Sequence, residues 1–193
     1  MAAFHRERRA DVTVSAVAVP LKEASSFGVL STPPEGRVTE FREKPKQAAP
    51  LPSDPARAYA SMGNYLFDPD VLERALHEAR RAGETDFGRD VLPRLCGTQR
   101  VYAYDFAENR VPGVQDHEER GYWRDVGTLA ALAAARQDAM GNLPRFNLWN
   151  RRWPIRGEFD AALLAGIKSM TTEAAPWQAA SRDQSIGERL PAS

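Results

Sequence analysis

Val12-Thr13-Val14-Ser15-Ala16-Val17-Ala18-Val19 predicts a buried β-strand, because it is rich in β-branched residues, is mostly apolar on both faces and ends at Pro20. Further along the chain, residues 27–30 and 38–41 also have strand patterns. The turn-forming run Pro33-Pro34-Glu35-Gly36 separates these two segments. We therefore expect a hairpin with a long loop next to the buried strand.

The remaining chain alternates strand and helix patterns. Residues 60–67 and 101–106 predict strands, while the proline-rich residues 45–58 predict a loop. Three helices are expected, each behind a capping side chain: one after Asp68-Pro69 that ends near Gly83, one over residues 87–95 behind Asp86, and one over residues 129–140 behind Thr128. Val71, Leu72, Ala75, Leu76 and Ala79 fall on one face of the first helix. This alternation predicts an α/β fold with a mixed sheet.

Composition narrows the class of protein. The 193 residues carry 26 basic and 26 acidic side chains, and this balance argues against a nucleic-acid-binding protein. Cys96 is the single cysteine, which excludes an intrachain disulfide and fits the reducing cytoplasm. The charged residues 1–10 do not have the pattern of a secretory signal, and no apolar run is long enough to span a membrane.

Two short motifs could carry chemistry. Glu43-Lys44 precedes Pro45, where the chain can turn and let both side chains converge on a sugar phosphate, the lysine on the phosphate and the glutamate on hydroxyls. The alternative interpretation is a solvated charge pair. Asp125, in Tyr122-Trp123-Arg124-Asp125-Val126-Gly127-Thr128, could bind Mg²⁺ or could only shape the turn that follows it.

Missing motifs argue against several other enzyme classes. Asp86-Phe87-Gly88 matches a kinase triplet, but the other kinase motifs do not occur. Ser61 has no Gly-x-Ser-x-Gly surroundings, and the three histidines do not have the spacing of a metal site. Neither a Gly-x-Gly-x-x-Gly motif nor a Walker loop is present.

Taken together and in order, six strings give the chain a resemblance to the ADP-glucose pyrophosphorylase (glucose-1-phosphate adenylyltransferase) family over roughly residues 10 to 157. They are Ala24-Ser25-Ser26-Phe27-Gly28-Val29, Phe41-Arg42-Glu43-Lys44-Pro45, Ala60-Ser61-Met62-Gly63-Asn64-Tyr65-Leu66-Phe67, Asp86-Phe87-Gly88-Arg89-Asp90, Tyr122 to Thr128, and Arg152-Trp153-Pro154-Ile155-Arg156. The family has a Rossmann-like nucleotidyltransferase domain. It makes ADP-glucose and pyrophosphate from ATP and glucose 1-phosphate for glycogen synthesis.

The resemblance implies a role for each matching residue. Lys44 would hold the phosphate of glucose 1-phosphate, and Glu43 and Ser61 would bind glucose hydroxyls. Gly28 would let the backbone approach the sugar. Tyr65, Asp86, Phe87 and Trp123 would wall or support the sugar pocket, and Asp125 would be one of two Mg²⁺ ligands. Lys44 and Asp125 would thus be the catalytic pair.

The departures from the family pattern are as specific. The family's glycine-rich nucleotide loop and its second metal-binding aspartate have no counterpart here, nor does the C-terminal β-helix through which the family forms homo-oligomers. We therefore expect residues 1–157 to be the C-terminal portion of a catalytic domain with an incomplete ATP site. Residues 158–193 are expected to be a divergent, weakly ordered tail with one further helix near residues 161–170. Two alternatives remain open: another sugar-1-phosphate nucleotidyltransferase, or a non-catalytic module that pairs with a full-length relative.

Overall fold

A five-stranded mixed sheet in the order β3-β2-β4-β1-β5 organises the structure, which is a computed structural model that describes residues 1–155. The strands are β1 (Val12–Pro20), β2 (Gly28–Ser31), β3 (Glu40–Glu43), β4 (Arg57–Phe67) and β5 (Val101–Asp105). The helices are α1 (Ala2–Glu7), α2 (Pro69–Ala82), α3 (Leu92–Cys96) and α4 (Leu129–Asp138). β5 runs parallel to β1, and the other pairings are antiparallel. The predicted α/β class with a mixed sheet is confirmed.

The burial of β1 follows from its sequence. Val12, Val14 and Ala16 point into the main apolar core, where the buried side chains of α2 and α3 pack on the sheet. Thr13 and Ser15 point to the other face and are also buried. A strand that is covered on both faces needs apolar or small side chains at nearly every position, and β1 has them.

The opposite face of the sheet is covered in part by α1. Phe4 makes edge-to-face ring contacts with Tyr102 and Tyr104 of β5, at centroid distances of 6.4 and 5.4 Å. The ring Nδ1 of His5 lies 2.8 Å from the hydroxyl of Thr13. Residues 1–10 therefore contribute a packed helix to the domain.

Helix boundaries agree with the capping residues. Asp68 accepts a hydrogen bond from the Asp70 amide at the start of α2, and Gly83 ends that helix with a left-handed backbone. Thr128 caps α4 through the Ala131 amide. Val71, Ala75 and Ala79 of the predicted face are buried, while Leu76 at its border remains 46% exposed.

The helix expected over residues 87–95 forms in two parts. A single wide turn over Phe87–Val91 precedes α3, with Asp86 as its cap. Pro93 lies in the first turn of α3, where a missing amide hydrogen costs no helical bond.

The chain divides into two compact units. The first comprises residues 1–110 and 120–125 and contains the whole sheet. The second comprises residues 111–119 together with residues from 126 onward, and its described part ends at residue 155. The predicted tail over residues 158–193 lies outside the described residues, as does a helix expected near residues 161–170. No helix within residues 1–155 is both long and apolar enough to cross a membrane.

Buried Glu118 joins two loops of the second unit. Its carboxylate accepts hydrogen bonds from the backbone amides of Gln115, at 2.8 Å, and Asn147, at 3.1 Å. Arg145 pairs with Glu119 at 2.7 Å in the same region. These polar contacts link residues 115–119 to residues 145–147 within the second unit.

Candidate functional site

A cleft of about 340 Å³ lies within the first unit. It is formed by the start of β2, the end of β3, the middle of β4, the turn around Asp86 and the segment that ends at Asp125. Its lining residues are Ser26, Phe27, Gly28, Phe41, Glu43, Lys44, Ser61, Met62, Gly63, Tyr65, Asp86, Gly88, Trp123 and Asp125. The structure thus brings every residue predicted for the site to the cleft, apart from Phe87.

Glu43 and Lys44 reach the cleft together through a change in the backbone. Consecutive side chains of a strand point to opposite faces, but β3 ends at Glu43, and Lys44 takes a left-handed conformation with φ of 45°. The amide of Lys44 donates to the carbonyl of Phe27 at 3.0 Å, which fixes this turn against the residue before β2. Both residues therefore line one cleft.

The Glu43 carboxylate lies against two glycines. A Cβ on Gly28 would stand 2.8 Å from Oε2 of Glu43, and a Cβ on Gly88 would stand at the same distance. The Gly28 position is crowded further by the Phe41 ring, whose Cζ would be 2.5 Å away. Both glycines are buried, so their missing side chains leave the space that the carboxylate occupies.

An irregularity in β4 shapes the next wall of the cleft. Tyr65 pairs with Val14 and Ser61 with Ala16, so the three residues from Met62 to Asn64 stand opposite Ser15 alone. The Ser61 hydroxyl accepts from the Gly63 amide at 3.2 Å. Such bulges bend a strand and redirect its side chains, and here the bulge lies between Ser61 and Tyr65, both of which line the cleft.

Tyr65 lies close to the acidic groups of the cleft. Burial raises the pKa of its hydroxyl above the usual value, and the negative charges of Glu43 and Asp86 add to the rise. A hydrogen bond with Ser61 acts in the opposite direction on this pKa. The Tyr65 hydroxyl is therefore a neutral hydrogen-bonding group at neutral pH.

Asp86 has a structural function as well as a place in the cleft. Its carboxylate accepts from the amide of Arg89 at 2.8 Å and caps the turn over Phe87–Val91. Asp90 accepts from the amides of Thr85 and Asp86, each at 3.1 Å, which fixes the same turn from the other side. The hydrogen bond from the Arg89 side chain holds the pKa of Asp90 well below its usual value.

Phe87 supports the cleft from behind. Its ring stacks on that of Tyr65 at 6.1 Å between centroids and contacts Phe67 edge-on at 5.9 Å. It does not line the cleft itself. Of the two functions predicted for this residue, wall or support, the geometry favours support.

Trp123 and Asp125 approach the cleft from the C-terminal part of the first unit. The Trp123 ring contacts Phe27 edge-on at 5.8 Å between centroids, and Asp125 is exposed. Within residues 1–155, no group of three or more His, Cys, Asp or Glu side chains is arranged to hold a metal ion. Asp125 lines the same cleft as two other carboxylates, those of Glu43 and Asp86.

Several lining residues were not predicted from the sequence. Phe27 and Gly88 belong to the strings that carry the family resemblance, yet no function was predicted for either of them. Met62 and Gly63 enter the cleft because of the bulge, which depends on the register between β4 and β1. Gly63 has a φ of 72°, a conformation that favours glycine. The glycine at this position is therefore the local sign of the bulge in the sequence.

The comparison with protein families identifies one family for this chain. The family model described as "Nucleotidyl transferase" matches residues 1–141, which is most of the chain. This protein belongs to the nucleotidyl transferase family.

Two similar relatives share the name glucose-1-phosphate adenylyltransferase. The chain is 51% identical over 156 residues to the protein of that name from Thermodesulfovibrio yellowstonii and 48% identical over 160 residues to that from Thermus thermophilus. These alignments cover 80% and 81% of this chain. The chain spans 38% of the length of each of these relatives.

Proposed function

We propose that this chain carries the sugar-phosphate half of a glucose-1-phosphate adenylyltransferase site and that it acts in the cytoplasm in glycogen biosynthesis. One observation carries the proposal: Glu43 and Lys44 converge on a cleft that Ser61, Tyr65 and Asp125 also line. A carboxylate and an ammonium group side by side suit a ligand that has both hydroxyls and a phosphate. The names of the relatives favour glucose 1-phosphate as that ligand and ADP-glucose as the product.

Three polar residues of the cleft have a chemical task in this proposal: Lys44, Glu43 and Ser61. The Lys44 ammonium binds the phosphate of glucose 1-phosphate and orients one of its oxygens for attack on the α-phosphate of ATP, with pyrophosphate as the leaving group. Glu43 accepts hydrogen bonds from glucose hydroxyls, and Ser61 can donate or accept. Trp123 supplies an apolar wall.

Asp125 is the residue that would hold Mg²⁺. This cation is commonly bound by one or two carboxylates together with substrate phosphates, so a single aspartate fits once the phosphates are present. When bound, the ion neutralises charge on the phosphates during transfer. The exposure of Asp125 leaves its carboxylate accessible to such an ion.

Binding of glucose 1-phosphate to the purified chain tests the proposal. We expect a heat of binding for the wild-type chain and its loss in Lys44→Ala, because the phosphate loses its cation. Lys46→Ala is the matched control: Lys46 is exposed two residues away and does not line the cleft. Absence of binding in the wild-type chain, or equal effects of the two substitutions, would contradict the proposal.

Turnover is expected to be negligible for the chain alone. The sequence holds neither a glycine-rich nucleotide loop nor a Walker loop, and it spans 38% of the length of its relatives. An assay for ADP-glucose from ATP, glucose 1-phosphate and Mg²⁺ checks this expectation. Formation of ADP-glucose by the purified chain would refute it.

A second candidate function, a module that pairs with a longer family member, is favoured by the edge of β4. β2 pairs with β4 only at Tyr59 and Ala60, so among residues 1–155 the outer edge of residues 61–67 has no neighbouring strand. An open edge offers backbone hydrogen bonds to another chain. Co-purification with a full-length relative, and its loss on Leu66→Lys, would support this function. Retention of the partner by Leu66→Lys would argue against this edge.

A further inference from the structure

Gly88 occupies a position in the cleft that the proposed chemistry leaves without a task. It is buried, it lies in the turn over Phe87–Val91, and it lines the cleft beside Glu43. Its φ lies outside the left-handed region, so its backbone can be adopted by any residue. Glycine is disfavoured against alanine in helical turns, which means that conformation alone does not explain glycine here.

The space around Gly88 supplies a different explanation. The nearest atom to a Cβ at this position is Oε2 of Glu43 at 2.8 Å, whereas Asp86 Oδ1 and Phe41 Cε1 would be at an ordinary 3.5 Å. Oε2 is the far end of a flexible side chain. A methyl group at position 88 would therefore displace the Glu43 carboxylate and leave the backbone in place.

Gly28 provides an instructive contrast. A Cβ there would meet Oε2 of Glu43 at 2.8 Å as well, but it would also meet the ring of Phe41, at 2.5 Å from Cζ. Phe41 is buried in the main core and cannot move as freely. A methyl group at position 28 would thus disturb the core, while one at position 88 would act on Glu43 alone.

We propose that Gly88 is a positioning residue that holds the carboxylate of Glu43 in the sugar-binding position by leaving it the space of the missing side chain. Gly28 and Gly88 then form the two walls of a slot for this carboxylate. The substrate-related part of this inference rests on the proposed function, but the placement of the carboxylate does not. Glu43 as a residue is exposed, so the two glycines restrict its carboxylate on their own side, which lowers the entropy lost when a hydroxyl binds.

The test is Gly88→Ala in the full 193-residue chain. We expect binding of glucose 1-phosphate to weaken at least about tenfold, the loss expected when a hydrogen bond to a charged acceptor is misplaced. The thermal midpoint should stay near that of the wild type. Gly97→Ala is the matched control, since a Cβ there would approach nothing closer than the carbonyl oxygen of Arg94 at 4.0 Å.

Combination with Glu43→Ala separates positioning from direct obstruction. If Gly88 acts only through Glu43, the substitution Gly88→Ala has no effect once Glu43 is already alanine. We therefore expect the dissociation constants of Glu43→Ala and of the double variant to agree within about twofold, which is the usual scatter of such comparisons. A further large loss in the double variant would mean that the methyl group blocks the sugar itself, and it would overturn the proposal. A Gly88→Ala chain that fails to fold would also overturn it, because the carboxylate would then not have given way.

A crystal structure of Gly88→Ala without ligand decides the matter even if the wild-type chain does not bind glucose 1-phosphate. We expect the Glu43 carboxylate to leave its slot while the turn over Phe87–Val91 keeps its path. An unmoved carboxylate would overturn the positioning role. Failure of the wild-type chain to bind would instead count against the proposed function alone.

Discussion

Lys44 shows how one residue creates a site by breaking a regular pattern. Had β3 continued, Glu43 and Lys44 would point to opposite sides of the sheet. The left-handed backbone of Lys44 places both charges on the cleft at a cost of about 1–2 kcal/mol for a residue with a Cβ. Strain of this kind is concentrated at functional sites, which agrees with the proposed binding of a sugar phosphate.

This strain makes a prediction about two variants of Lys44. Both Lys44→Ala and Lys44→Gly remove the ammonium group, but only glycine adopts a φ of 45° without a steric penalty. We expect Lys44→Gly to be more stable than Lys44→Ala by roughly 1 kcal/mol in urea unfolding. Both should lose glucose 1-phosphate. Equal stability of the two variants would mean that the turn relaxes once the lysine is gone.

At the scale of elements, α2 begins directly after its predicted capping residue, Asp68. Asp68 accepts from the Asp70 amide at 3.1 Å. Asp68→Ala should lower the free energy of unfolding by about 1 kcal/mol, because one amide at the helix start loses its acceptor. Asp68→Asn keeps an acceptor of similar reach and should stay within a few tenths of a kcal/mol of wild type. Urea unfolding measures both, and an equal loss in the two would assign the effect to charge.

Helix boundaries could be predicted from the sequence for a physical reason. Caps and stops such as Asp68, Gly83 and Thr128 act on amides a few residues away, so the information is local. The bulge in β4 depends instead on how residues 61–65 align with β1, and the wide turn after Asp86 depends on its packing. Neither was predicted, since both follow from contacts between distant parts of the chain.

The residues of the candidate site also fall into those that could be predicted from the sequence and those that could not. Glu43 and Lys44 could be proposed as site residues from their position at a strand end. Ser61, Tyr65 and Trp123 were predicted through the family resemblance. Gly88 and Phe27 could not be predicted, because they join the site only through the packing of β2, β3 and the turn at Asp86 around the cleft. A glycine has no side chain to suggest a function, so its effect can be read only from what surrounds it.

At the scale of the whole molecule, one ion pair joins the beginnings of two parallel strands. The Asp11 carboxylate accepts from the Arg100 backbone amide at 2.7 Å and from its guanidinium at 2.6 Å. Asp11 stands just before β1 and Arg100 just before β5, and only 16% of the Asp11 side chain is exposed. Parallel strands are far apart in sequence, so this pair helps fix the register of a long-range contact.

The same pair makes the free energy of unfolding depend on acid. The hydrogen bond from the Arg100 side chain is the main cause that lowers the pKa of Asp11 in the folded state, against the effect of burial. Because the unfolded chain then takes up the proton first, this stabilisation is complete above the ordinary aspartate pKa of about 4 and is lost as pH falls below it. We expect the urea midpoint to be steady near neutrality and to fall in that acid window.

Two variants measure how much Asp11 and Asp90 each contribute to this acid dependence of the free energy of unfolding. Asp11→Asn should be less stable near neutrality and should lose less stability on acidification, since its share of the proton uptake is gone. Asp90, whose pKa is also lowered by its neighbouring arginine, should account for a further share, so the double variant with Asp90→Asn should have the flattest profile. Urea midpoints measured at intervals from neutral pH to pH 3 give these slopes. A profile for Asp11→Asn as steep as that of the wild type would show that the pair at the start of β1 is not a source of the acid sensitivity, and that other carboxylates must carry it.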